Sequence, residues 1–387
     1  MRILVLTNYY PPYSVGGYEI ACETTVNWLR KRGHQVQVLT SQSPDETPLA
    51  ESHVLRSYDR IDYAKGSYRQ KWQTEKKNYT LTLDTIQAFQ PDLVYLWSQR
   101  LISLGPVYAV EKSKLPKVFE FGDFWPDSYL KPGLTPWIRR KIKERIPGLH
   151  GGSFKLDPVI SVARWMGPEI QSKYHSQKVV FIPNGLDLPS QKTWPDWNAP
   201  LKALFLGRID PEKGLHLALE ALLQLKEQGQ ILELTVAGKG QADYLDFCRQ
   251  FVSSHGLEKQ VHFLGWQPDP APLYAQHPLL LMPTTMREPF GLVIVEAMLR
   301  GLAVFAPDAY GPAEIIKHGE TGILFQPGDS KSLAQALLEQ LKFPERLQTI
   351  GKQAQADAFE RFGVDKVKRQ VEQVLLQEIE AQTCQAS

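Results

Sequence analysis

Leu204-Phe-Leu-Gly-Arg-Ile-Asp-Pro-Glu-Lys-Gly214 restarts, in the middle of the chain, the pattern with which the chain begins. A short apolar run, a turn rich in glycine and charge, and an amphipathic stretch through Lys226 follow one another, which predicts strand, loop and helix. Toward the C-terminus the rhythm continues through apolar runs at Leu234–Ala237, Val261–Leu264, Leu279–Met282, Val304–Ala306 and Ile323–Phe325. Toward the N-terminus the same alternation occupies Arg2–Tyr9, Val36–Thr40, Leu93–Trp97, Val118–Phe121, Val159–Val162 and Val179–Ile182. Between the first two runs, Ile20, Val26 and Leu29 give Glu19–Lys31 an apolar helical stripe, and Gly33 is placed to end it. Strands alternating with helices predict parallel βαβ units. Two doubly wound α/β domains follow, of Rossmann-like form and facing across a cleft, with ligands beyond the C-terminal strand ends.

The 387 residues, 43% of them hydrophobic, suffice for two cores. The join falls at Pro183-Asn-Gly-Leu-Asp187 and the polar, proline- and tryptophan-rich stretch through Pro200, where turn residues crowd and periodicity stops. The expected division is 1–186 and 187–358. Cys22, Cys248 and Cys384 are scattered, which argues against a disulfide framework or a zinc site and fits a reducing cytoplasm. No stretch reaches eighteen consecutive apolar residues. The net charge of +2 conceals an asymmetry: residues 1–190 hold 25 Lys/Arg against 18 Asp/Glu, the remainder 19 against 24. The halves should meet different partners. The basic excess is modest and no recognition module is present, so nucleic acid is not expected as a partner.

Within Glu288-Pro-Phe-Gly-Leu-Val-Ile-Val-Glu296, two carboxylates are separated by seven apolar or small residues. Pro289 and Gly291 predict a helix starting near Phe290, with Glu288 in the loop before it and Glu296 inside it. Eight residues at helical rise span roughly 12 Å, comparable to a nucleoside diphosphate sugar from hexose to ribose. The backbone N–H groups of Phe290, Gly291 and Leu292 would be available to an anion or a sugar oxygen. The same pattern also suits a buried helix flanked by two glutamates, which requires no ligand. In the Leu204 segment, Arg208 offers a planar fork and Lys213 a point charge, both suited to a diphosphate. Gly16-Gly17, ahead of the first helix, permits close phosphate approach or simply a tight turn; Gly-x-Gly-x-x-Gly is absent.

Taken in order, the Gly16-Gly17 loop, Asn184-Gly185, Gly207-Arg208 to Lys213-Gly214, Ala237-Gly-Lys-Gly240, Phe263-Leu-Gly265 and Glu288–Glu296 resemble the retaining glycosyltransferases of family 4 over nearly the whole chain. The resemblance implies the GT-B fold, with the helical region 359–387 packing back on the first domain, and hexose transfer from a nucleotide diphosphate sugar, a UDP-sugar or GDP-mannose, to a saccharide, lipid-linked or sugar-phosphate acceptor. It further implies that Arg208 and Lys213 neutralise the diphosphate, Glu288 contacts the transferred sugar with help from the amides after it, Glu296 holds the ribose, and the Gly16-Gly17 loop reaches the donor. Many family members carry His-Asp after the strand Val118–Phe121, where this chain has Gly122-Asp123. Asp123 is thus a candidate for touching sugar or acceptor, or a loop-capping residue. No Asp-x-Asp or two-histidine motif occurs, so neither a metal nor a separate cofactor is expected. A sugar-nucleotide epimerase of similar architecture and a non-catalytic nucleotide-sugar-binding module are the rival readings. Finally, 131–155 holds seven basic residues and one acid, with Ile138, Ile142 and Ile146 on one stripe. Such a helix suits peripheral contact with an anionic membrane or an ordinary solvated domain edge.

Overall fold

The computed structural model describes residues 1–13, 16–42, 51–61, 67–129, 156–188, 194–197 and 200–386, so the basic stretch 131–155 lies outside the described residues. The chain divides into two compact units, Met1–Gly185 with Asp365–Ser387, and Leu186–Val364.

In the first unit β1 (Arg2–Leu6), β2 (Gln35–Ser41), β3 (Val54–Tyr58), β4 (Leu93–Leu96), β5 (Lys117–Phe121), β6 (Val159–Ser161) and β7 (Val179–Phe181) form a parallel sheet in the order β3-β2-β1-β4-β5-β6-β7. Its central strands are continuous apolar runs because helices cover both faces of such a sheet; β4, Leu-Val-Tyr-Leu, is buried throughout. The helices are α1 (Gly17–Lys31), α2 (Tyr68–Phe89), α3 (Gly105–Ser113) and α4 (Gly167–Tyr174). Gly33, at φ +88°, follows the end of α1 as expected. The pair β3 and α2 was not anticipated. At the sheet edge, β3 alternates poorly, whereas α2 is announced mainly by Ser67 and Gln70, which cap it reciprocally.

In the second unit β8 (Lys202–Leu206), β9 (Glu233–Ala237), β10 (Val261–Gly265), β11 (Leu279–Leu281), β12 (Ala303–Pro307) and β13 (Ile323–Phe325) form a parallel sheet in the order β10-β9-β8-β11-β12-β13. Around it lie α5 (Leu215–Glu227), α6 (Ala242–Ser254), α7 (Ala271–Gln276), α8 (Leu292–Leu299), α9 (Tyr310–Ile315), α10 (Ser330–Leu341) and α11 (Pro344–Phe362). Its core joins Leu204's neighbours Ala203 and Phe205 to Leu219, Leu222 and Leu225 of α5 and to Leu337 of α10. The last helix, α12 (Val364–Ala386), belongs almost wholly to the first unit. The return begins later than the expected 359, because Ala358 and Phe362 are still buried within the second unit.

Each sheet grows outward in one direction and then reverses, between β1 and β4 in the first and between β8 and β11 in the second. The crevices beyond the C-terminal ends of those strand pairs are where open α/β sheets take ligands. Among the described residues no helix is long and apolar enough to cross a membrane.

Candidate active site

At the reversal point of the second sheet, the loop leaving β8 and the loop leaving β11 are stitched together by backbone. The carbonyl of Glu212 accepts from Thr285 N at 2.9 Å and from Thr284 Oγ1 at 3.0 Å. Gly214 sits at φ +73°, and a Cβ there would lie 1.9 Å from the Pro283 carbonyl oxygen, so only glycine lets the two loops approach this closely. The loop's own shape comes from Asp210, which caps the single turn Pro211–Lys213 through Oδ1 and the Lys213 amide at 3.0 Å. Its other oxygen, Oδ2, lies 3.1 Å from Arg208 Nη1.

This stitching carries Lys213 to Glu288, Nζ to Oε2 at 2.6 Å, a pair far more buried than the half-exposed Arg208. Lys213 and Glu288 therefore meet at the strand ends, and Arg208, held by Asp210, lies on the same β8 loop. The helix that follows starts at Leu292 rather than near Phe290. Gly291 is its N-cap in the left-handed region at φ +99°, while Phe290 is buried with its ring 5.8 Å from that of Phe362. The helix-start amides are accordingly those of Leu292 and Val293. The Phe290 side chain instead anchors the loop in the core.

Glu296 lies in the second turn of α8, where Tyr274 OH donates to its Oε2 at 2.6 Å. Arg300 donates to the Glu296 carbonyl at 3.0 Å and lies over the Tyr274 ring at 4.7 Å. Burial raises the Glu296 carboxyl above its usual range, opposed by the Tyr274 hydrogen bond and the Arg300 charge. Trp266, just past β10, is 56% exposed, with Lys239 Nζ 4.5 Å over its ring. The loops after β8, β9 and β10 run side by side, Ile209 N to Lys239 O at 2.7 Å and Gly238 N to Gly265 O at 2.9 Å. Asp210, Tyr274 and Arg300 are not among the candidates that the sequence singles out. Only Asp210 had a local signal, as an acid before Pro211 in helix-cap position.

The remaining candidates belong to the first unit. Gly16 is the N-cap of α1, and its amide donates to Glu19 Oε2 at 2.9 Å, so the helix start already carries a carboxylate; Gly17 is the first helical residue. Asp123, just beyond β5, accepts from Arg100 Nη2 at 3.0 Å; burial raises its carboxyl, and the Arg100 charge opposes that rise. Gly122 has no room for a side chain. A Cβ there would lie 2.0 Å from Cε2 of Tyr18, whose ring packs 5.2 Å from Trp97 and whose hydroxyl donates to the Glu120 carbonyl at 2.7 Å. Among the described residues, no three side chains of His, Cys, Asp or Glu stand together as metal ligands.

Two parallel sheets, each reversing once, with cations and a carboxylate at the strand ends of the second, have the architecture of the GT-B glycosyltransferases. Family models match in succession, Glycosyltransferase Family 4 over residues 15–189 and Glycosyl transferases group 1 over residues 195–357. The chain belongs to glycosyltransferase family 4. It is 27% identical to the phosphatidyl-myo-inositol mannosyltransferase of Mycobacterium leprae strain TN, across 94% of each chain. To the glycogen synthase of Mycobacterium tuberculosis it is 25% identical, across 97% of this chain and 94% of that one. Among solved structures it is similar to Anabaena HepE in complex with UDP and glucose, with a TM-score of 0.75, 26% identity, and 97% of this chain and 99% of that chain covered.

Proposed function

We propose that the protein moves a hexose, with retention of configuration, from a nucleotide diphosphate sugar held by its second unit to a hydroxyl of a saccharide, lipid-linked or sugar-phosphate acceptor held by its first. The observation that carries this reading is the Lys213–Glu288 pair at 2.6 Å, at the reversal point of the second sheet on the loop that also carries Arg208. As the bond from the anomeric carbon to the diphosphate breaks, negative charge grows on the leaving phosphate and positive charge on the sugar ring. Arg208 and Lys213 stabilise the first, and Glu288 orients the sugar hydroxyls and faces the second. The acceptor oxygen bonds to the anomeric carbon from the face the diphosphate leaves, and its proton passes to a donor phosphate oxygen. With two cations meeting the diphosphate, the transfer is read as needing no metal.

Glu296, fixed by Tyr274, holds the ribose, and the exposed ring of Trp266, just past β10, offers the base a stacking face. A UDP-sugar is the favoured donor, supported by the similarity to a protein crystallised with UDP and glucose. GDP-mannose is the second candidate, given a mannosyltransferase relative. Thermal unfolding across a panel of nucleotide sugars tests the donor: one present at about a hundred times its Kd adds about 2.7 kcal/mol of stability. UDP-glucose is expected to raise the midpoint of the wild type but not of Lys213→Met. A rise of equal size in both would remove the diphosphate from this loop.

A further inference from the structure

The loops leaving β3 and β4 in the first sheet start three strands apart and yet meet over the ends of β2 and β1. Ile61 N donates to Leu101 O at 2.6 Å, and the buried Asn78 of α2 ties both loops, donating to the Asp59 carbonyl at 2.8 Å and to the Ile102 carbonyl at 2.7 Å. From beneath, the β4 loop is fastened by Gln99, wholly buried, whose Nε2 donates to the carbonyls of Leu6 and Trp97 at 3.1 Å. It is also held in a conformation that side chains rarely adopt, with Leu101 at φ +67° and Ser103 at φ +81°. Tyr129 OH accepts from Ser103 N at 3.1 Å and donates to the Gln99 carbonyl at 2.5 Å.

Each of these loops presents one arginine immediately before its half of the Ile61–Leu101 hydrogen bond. Arg60 is exposed, its guanidinium lying 4.9 Å from the Tyr9 ring centre and 5.9 Å from that of Tyr13. Arg100 is 44% exposed and gives one nitrogen to Asp123. Two planar forks on backbone held this firmly lose little freedom when they bind, and a carboxylate or phosphate fits them bidentately. Leu101 and Ser103 flank the buried Ile102, so the left-handed backbone anchors the loop in the core and leaves Arg100 at the surface.

From this pair of loops we infer that Arg60 and Arg100 form an anion subsite of the first unit, and that the acceptor carries a phosphate or carboxylate group which it binds. This inference rests on the glycosyl-transfer reading above. Asp123, already held by Arg100, then faces the neutral, hydroxyl-bearing part of the same molecule.

The test uses the full chain with excess UDP, so that the cations of the second unit are occupied. Glucose 6-phosphate, glucuronate and glucose serve as phosphate, carboxylate and neutral probes, with binding followed by calorimetry to about 10 mM. Both anionic probes, or one of them, should bind at least about tenfold more tightly than glucose. That advantage should fall about tenfold in Arg60→Gln and in Arg100→Gln and persist in Arg208→Gln. Retention by glucose 6-phosphate alone assigns a phosphate, and by glucuronate alone a carboxylate. The subsite is overturned if glucose binds as well as both anions, if no probe binds, or if Arg60→Gln and Arg100→Gln leave the advantage intact. Loss of UDP binding by the wild type would instead strike the donor reading. In that case anion binding lost in Arg208→Gln and kept in Arg60→Gln would locate the probes on the other unit and overturn the subsite too.

Discussion

At position 122 the absence of a side chain is a packing fact. Tyr18, one residue into α1, already fills that space from the opposite side of the turn, held by Trp97 and by the Glu120 carbonyl. Glycine and tyrosine should therefore behave as one unit under substitution. Gly122→Ala is expected to cost about 1–3 kcal/mol, since the new methyl group must push the ring away. In Tyr18→Ala that clash is gone, so the double variant should be more stable than the sum of the single changes predicts by about 1 kcal/mol or more. Denaturant midpoints of the four proteins decide the matter, and additivity within about 0.5 kcal/mol would show that the two positions do not share this space. From the sequence, Gly122 was legible only as a departure from His-Asp. That Tyr18 takes up the room depends on a contact between residues about a hundred positions apart, which no local pattern encodes. Arg208, Lys213, Glu288 and Glu296 were legible because each lies in a short run whose turn and helix signals place it at a strand end. Tyr274 and Arg300, which hold Glu296, have no such signal: an aromatic and an arginine on helices normally read as packing and surface.

Among the elements, α12 is attached to β5 through the interior. Lys368 and Glu120 are both about 3% exposed and interact electrostatically, and Glu120 also accepts from Tyr95 OH. Burial pushes the Glu120 carboxyl up to about 7, and burial lowers the Lys368 ammonium. A carboxyl raised in the folded chain adds stability below its ordinary range, and that stability is lost as pH rises through the folded value. Lys368 limits the loss by pairing with the ionised form. Lys368→Met should therefore destabilise the protein by about 3–5 kcal/mol at about pH 8.5, as expected when one partner of a buried pair is removed. At about pH 5.5, where Glu120 is protonated, the cost should be distinctly smaller. Chemical denaturation at the two pH values measures the difference, and an equal cost at both would mean that the two groups do not interact. The helical start of α8 shows the limit of boundary reading. Pro289 and Gly291 both signal a start, but the left-handed Gly291 is the cap, so regular helix begins one residue beyond it. Similarly, β3 was hidden because an edge strand needs only one half-apolar face.

Over the whole molecule, the recurrence of apolar runs and helical stripes on both sides of Leu204 was enough to specify two doubly wound units. Parallel strands buried on both faces must be apolar along their length, and the segments between them must be long enough to cross back. What it did not specify was where α11 gives way to α12, because an amphipathic helix reads alike whichever unit it covers. Both sheets carry cations and carboxylates at their C-terminal strand ends, and Lys213 and Glu288 are the residues proposed to drive donor departure. The most direct check is the rate of nucleoside diphosphate release from UDP-glucose or GDP-mannose in the presence of acceptor, at substrate concentrations below KM. For Lys213→Met and Glu288→Gln, kcat/KM is expected to fall by about 10²–10³ with the fold intact; wild-type kcat/KM in either variant would contradict the assignment.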